Sequence, residues 1–254
     1  MSALTKRQEM LFKALRTRHG RKKSEYCLCD GLRSSIEVLQ CRSDLVELIV
    51  LREDKADLDL PPCNAERVIL PAADFEELTA TVNSQGLLVL SRCPEYLPLT
   101  APIADPFVLI LDRVGDPGNF GTILRTARAA GLKEVWLTKG SVDPWSEKVV
   151  RSASGAQFAV KLRMAQTLEE AAEHLKQQGY PTVWRTLPAG GESLFRAEGV
   201  FDHSAVIFGC EATGVADLAG SRSLHIPMPG DAESLNVAQA ATIVLFEYVR
   251  RLGL

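Results

Sequence analysis

With 254 residues, 46% hydrophobic and 24% charged, the chain has enough apolar material for one or two well-packed domains, which excludes a disordered or fibrous protein. Its net charge of −3 conceals a division: residues 1–23 hold eight basic residues against the single acid Glu9, a local balance of +7, while the remainder carries −10. No apolar run approaches membrane-spanning length, and the N-terminus lacks the apolar core and small-residue cleavage site of a secretory signal, so a cytoplasmic protein with no membrane contact is expected.

The basic stretch leads the chain as a helix over about 5–17. Its cations, among them Arg16, Arg18, Arg21 and Lys22, form either a polyanion-binding footprint or a solvated helix face with a frayed loop at Gly20. A second helix is expected near 31–41. Strands VELIVL (46–51) and RVIL (67–70), a helix near 73–82 and a strand LLVL (87–90) complete a small α/β domain over 1–93. Prolines at 94, 98, 102 and 106 cannot sustain a helix, so 94–106 reads as an extended linker.

From 107 onward the pattern alternates more regularly. FVLIL (107–111) is a continuous apolar run, the mark of a strand covered on both faces. A helix near 119–130, a strand EVWLT (134–138), helices from about 144 and near 167–178, and strands PTVWRT (181–186), AVIFG (205–209) and LHIP (224–227) follow. The last helix, about 234–251, aligns Leu235, Ala238, Thr242, Leu245, Phe246 and Val249 on one face. This alternation predicts an α/β domain with a mostly parallel sheet over 107–254, whose ligands bind beyond the carboxyl ends of the strands.

Three segments at such ends are unusual. In Asp112–Ala127, Gly115, Pro117 and Gly118 form a turn, Asn119 suits the N-cap of a helix starting at Phe120, and Arg125 follows nearly two turns later. The glycines at 115, 118 and 121 do not fit the dinucleotide-binding G-x-G-x-x-G pattern, which disfavours a nucleotide-dependent oxidoreductase. Around Glu211, Gly209 and Gly214 allow close backbone approach after a buried strand. In Ile226–Ala240, Pro227 and Pro229 remove backbone donors, Gly230 turns the chain, Ser234 is placed to cap the final helix, and Asn236 stands where Ala or Glu would favour the helix more.

Taken together, Asn119-Phe-Gly-Thr-Ile-Leu-Arg125, Phe208-Gly-Cys-Glu211-Ala-Thr-Gly214 and Ile226-Pro-Met-x-Gly230-x-x-x-Ser234-Leu-Asn236 resemble the three motifs of the SpoU/TrmH RNA ribose 2′-O-methyltransferases. Thr5–Gln8 and Asp30-Gly-Leu-Arg33 look like the small substrate-binding domain that many members carry. Two positions depart from the pattern: serine or another small polar residue is frequent where Ala238 stands, and glycine where Ala212 stands.

The resemblance implies a deep trefoil knot (the SPOUT fold), S-adenosylmethionine as cofactor, and a homodimer with catalytic side chains drawn from both subunits. It implies Arg125, Asn119, Glu211 and Asn236 as catalytic residues, and Gly209, Ile226, Met228, Gly230, Ser234 and Leu235 as cofactor-binding residues. RNA, ribosomal in the leading reading and transfer RNA in the alternative, would be held by Arg128, Arg151, Arg16, Arg18, Arg21 and Lys22. The rival from another class is a non-catalytic RNA- or ribosome-binding module of the same fold. Six dilute cysteines form no CxxC pair, and Cys27-x-Cys29 has no ligand partners at zinc spacing, so no metal is expected. His19, His174, His203 and His225 read as structural or exposed.

Overall fold

A computed structural model describes residues 4–79, 81 and 84–253. The chain divides into two compact units. One comprises the described residues up to Pro94 together with Asp143–Ala159; the other comprises Glu95–Val142 and the described residues from Val160 onward. The excursion 143–159 differs from the expected uninterrupted domain over 107–254.

The basic start folds as two helices, α1 (Lys6–Leu15) and α2 (Arg18–Lys22). Thr5 and Gln8 form a reciprocal capping box on α1, and Thr17 caps α2 through the Gly20 N–H at 3.0 Å, so Gly20 lies inside a helix rather than a frayed loop. β1 (Tyr26–Asp30), α3 (Leu32–Cys41), β2 (Val46–Arg52), β3 (Glu66–Leu70), α4 (Ala72–Leu78) and β4 (Leu87–Arg92) follow. The helix expected near 73–82 ends at Leu78, and its positions 80 and 82 lie outside the described residues. The sheet order is β1-β4-β2-β3, with β2 and β3 parallel and the other pairs antiparallel. Phe12 and Leu15 of α1 are fully buried in its core with Leu28, Val50, Val68 and Phe75.

The second unit begins with the proline-spaced stretch. Its backbone is strapped down: Arg163, wholly buried, donates from Nη1 to the carbonyls of Pro98 (2.8 Å) and Ala101 (2.6 Å), from Nη2 to Pro102 (2.9 Å), and from Nε to Glu134 (2.6 Å). Four prolines leave carbonyls without helical or sheet partners, and one guanidinium satisfies three of them. The expected linker is thus an integral part of this unit.

β5 (Phe107–Leu111), α5 (Pro117–Ala129) and β6 (Glu134–Thr138) precede α6 (Glu147–Ser152), which packs on β1 in the first unit. That excursion has its own fit: Trp145 packs against Phe158 with the rings tilted, and a Cβ at Gly155 would meet Glu37 Cβ at 2.8 Å. The chain resumes with β7 (Lys161–Ala165), α7 (Leu168–Gln177), β8 (Thr182–Leu187), β9 (Glu192–Ser193), β10 (Ser204–Phe208), β11 (Arg222–His225) and α8 (Val237–Arg251). The seven strands order as β7-β6-β5-β10-β8-β11-β9 and every pairing is parallel. β5, β6 and β10 are buried along their whole length, as a parallel sheet covered on both faces requires.

α8 packs on α5, and its buried face carries Ala238, Ala241, Val244, Leu245 and Tyr248. Phe246, expected on the core face, is instead 49% exposed. Among the described residues, no helix is long and apolar enough to cross a membrane, and no group of three or more His, Cys, Asp or Glu is arranged to hold a metal ion.

Candidate active site

At the carboxyl ends of β8, β10 and β11 lies a cavity of about 600 Å³, within the size range of cofactor sites. Thr186–Pro188, Phe208–Val215, Leu224–Ile226, Met228 and the approach to α8 from Ser234 onward line it. Gly209 is required here, because a Cβ would collide with the backbone of Gly214 and Val215. The loop closes on itself: the Gly214 N–H donates to the Cys210 carbonyl at 2.8 Å, and Gly214 takes φ +67°, which suits glycine.

The three unusual segments meet in one polar network beside this cavity. Asn119 Nδ2 donates to Glu211 Oε1 at 3.0 Å, and Asn119 Oδ1 accepts from Asn236 Nδ2 at 2.9 Å. The Gly115 N–H reaches Glu211 Oε2 at 3.4 Å. Burial opposes ionisation of Glu211, but the Asn119 amide and backbone N–H groups, those of Gly115 and Asp116 included, outweigh it and hold the carboxyl below its ordinary range.

Two caps differ from expectation, and both differences make the network possible. Asp116, not Asn119, is the N-cap of α5: its Oδ1 accepts the Asn119 N–H at 2.8 Å, and Pro117 fills the first helical position, where a missing N–H costs nothing. The Asn119 side chain is thereby released for Glu211. Asn236, not Ser234, caps α8, its Oδ1 accepting from Ala238 N (2.9 Å) and Gln239 N (3.3 Å) while its amide turns to Asn119.

Of the expected cofactor residues, Gly209, Ile226, Met228, Ser234 and Leu235 line the cavity, as do Glu211 and Asn236; Gly230 lies outside the lining. Arg125 is exposed on α5 and also outside the lining, and it makes no ion pair among the described residues. Cys210, Thr186–Pro188 and His225 were missed as lining residues. The only sequence signal for 186–188 was the Pro-Gly-rich run after a strand, and for His225 its place at the end of another. The Cys210 thiol is held below its usual range by the backbone N–H groups of Ala212 and Thr213. His225 Nδ1 is buried with no hydrogen-bond partner among the described residues, an orphaned polar atom in the cavity wall.

Among the expected RNA contacts, Arg16, Arg18, Lys22 and Arg151 are exposed on the first unit and Arg128 on the second. Arg21 is the exception. It pairs with Asp143 at 2.7 Å, donates to the Leu15 carbonyl at 3.0 Å and is only 14% exposed, so it serves the fold.

These features define the class: an α/β protein with a ligand site at the carboxyl edge of a parallel sheet. Residues 106–246 match the SpoU rRNA Methylase family. The chain is 32% identical to the Bacillus subtilis 23S rRNA (guanosine(2553)-2′-O)-methyltransferase RlmP over 240 residues, covering 92% of this chain and 93% of that one. It is 35% identical over 179 residues to an uncharacterized tRNA/rRNA methyltransferase of Synechocystis, covering 69% of this chain and 64% of that one. An AdoMet-bound rRNA methyltransferase from Sinorhizobium meliloti superposes with a TM-score of 0.83 at 26% identity, covering 99% of this chain and 97% of that one. The chain belongs to the SpoU rRNA methylase family.

Proposed function

We propose that the protein transfers a methyl group from S-adenosylmethionine to a ribose 2′-hydroxyl of ribosomal RNA. The observation that carries this reading is the Asn119–Glu211–Asn236 network beside the cavity, because it locks three remote segments into one preorganised site.

The cavity fits the cofactor. Leu187, Phe208, Ile226 and Leu235 offer apolar walls, Gly209 leaves backbone open to close approach, and the orphaned His225 Nδ1 offers one polar contact. When bound, S-adenosylmethionine supplies a methyl group activated by its sulfonium, so the protein's own work is alignment and proton handling. Arg125 stabilises the charge developing on the ribose oxygen. A guanidinium keeps its proton, so the hydroxyl proton passes to a phosphate oxygen or water that Arg125 organises.

Arg125 lies outside the cavity of its own chain, and a homodimer supplies it to a partner's site. An exposed Phe246 on α8, which packs against the helix bearing Arg125, supports that seam. β8 placed between β10 and β11, with α8 returning to α5, supports the trefoil knot. The buried thiols of Cys27 and Cys29, which form no disulfide, support a reducing compartment, the cytoplasm. The first unit, with Arg16, Arg18, Lys22 and Arg151 exposed, is the RNA-binding domain.

The test is Arg125→Ala in the full chain. Losing one preorganised charge contact of about 2.7–4 kcal/mol should lower turnover by roughly two to three orders of magnitude while calorimetric binding of S-adenosylmethionine persists. Methylation of RNA at near wild-type rate by that variant overturns the assignment. A protein that binds RNA but gives no heat with S-adenosylmethionine would instead be the binding module.

A further inference from the structure

Beside the polar network stand two cations that methyl transfer leaves unused. Arg113, directly beyond the end of β5, takes φ +54°, a left-handed conformation that disfavours an L side chain other than Asn or Asp. It is held there on purpose-built surroundings. Its backbone N–H donates to Thr138 Oγ1 at 3.1 Å, while Nε and Nη2 donate to Asp112 Oδ2 at 3.2 and 3.0 Å. Asp112 is buried and also accepts from Thr138 Oγ1 at 2.7 Å. Gly140 leaves room for the Arg113 stem, since a Cβ there would come within 3.0 Å of Arg113 Cγ.

Neutralising a buried Asp112 calls for one enclosed cation. Arg113 offers more: its side chain is 43% exposed, and Nη1 has no partner among the described residues. Lys139, next to Gly140 at the end of β6, is exposed as well. Across the sheet, the Asp112 N–H donates to the Phe208 carbonyl at 2.8 Å, which sets Arg113 beside the segment bearing Cys210 and Glu211.

We infer that Arg113 and Lys139 form a phosphate-binding pair that seats a backbone phosphate of the RNA substrate next to the Glu211 loop. Arg113 presents a guanidinium edge fixed by Asp112, and Lys139 adds an adjustable point charge. Strain held at a site edge, with a neighbouring glycine making room for the strained residue, fits a positioning role better than simple charge balance. The inference rests on the RNA methyl-transfer reading.

The test uses full-length Lys139→Gln and Arg113→Lys, with deproteinised ribosomal RNA from cells lacking this protein. Lys139→Gln removes an exposed charge and keeps the fold. It should raise KM for RNA about threefold or more and flatten the log–log salt slope of RNA binding by roughly 0.7–0.9. Arg113→Lys keeps the charge but loses the fork, so KM for RNA should rise while the slope holds. Affinity for S-adenosylmethionine should stay within about twofold for both, because neither residue lines the cavity. Unchanged RNA KM and slope in both variants, or an effect of Arg113→Lys on melting temperature alone, overturns the pair. Should the wild type bind this RNA without methylating it, the methyl-transfer reading fails while the salt slopes still decide the pair.

Discussion

Asn119 illustrates how little of a residue's role its own neighbourhood reveals. Its fit to a helix start suggested a cap, yet Asp116 takes that task and frees the amide to bridge Glu211 and Asn236. Asn119→Ala should cost about tenfold in kcat, since it strands one acceptor and one donor in a partly exposed network. Asn119→Asp should cost more, because it sets a second carboxylate against Glu211; steady-state kinetics on both variants check the order. Glu211 gained weight only from the three motifs together, as a single acid in a loop carries little meaning. Arg21 shows the opposite: its charge is visible in the sequence, but its partner Asp143 lies 122 residues away.

At the scale of elements, continuous apolar runs made β5, β6 and β10 readable to within a residue or so. β7 was not, because KLRMA puts a buried arginine at its centre and masks the apolar pattern. β1, YCLCD, was obscured by its cysteines and a buried aspartate. The same Arg163 turns a proline-rich stretch into a strap. Arg163→Met should destabilise the protein by about 3–5 kcal/mol, leaving Glu134 buried without its cation, and should speed proteolysis between 95 and 106. Urea unfolding measures the first effect and timed digestion the second.

The C-terminal turn of α8 is fastened similarly. Arg250, with Arg251, holds buried Glu247 down to about 2 from an ordinary 4.5, against the opposing effect of burial. A depressed carboxyl stabilises the fold above its unfolded value and ceases to do so as pH falls through its folded value. Glu247→Gln should therefore lower the melting temperature at pH 7, and the gap to wild type should shrink between about pH 4.5 and 2.

For the whole molecule, the least legible feature was the excursion 143–159, which leaves one unit to complete another. Strand–helix alternation reports local form and says nothing of which core a segment joins. The same limit applies to α1. Phe12 and Leu15 are fully buried, and truncating one such side chain costs about 2–5 kcal/mol, so removing residues 1–23 would damage the first unit along with its charge. Arg18→Gln with Lys22→Gln is the cleaner probe, and should flatten the salt dependence of RNA binding while leaving the fold intact. If the proposed homodimer forms through the exposed Phe246, Phe246→Glu should sediment as a monomer and lose turnover as severely as Arg125→Ala.

One measurement bears most directly on the site itself: incubate the protein with S-adenosylmethionine carrying a labelled methyl group and ribosomal RNA from cells lacking it, then identify the labelled nucleoside by mass spectrometry. The expected product is a single ribose-methylated nucleoside, strongly reduced with Arg125→Ala. Label on a base, or label in ribose at the same rate with and without Arg125, would contradict the proposed chemistry.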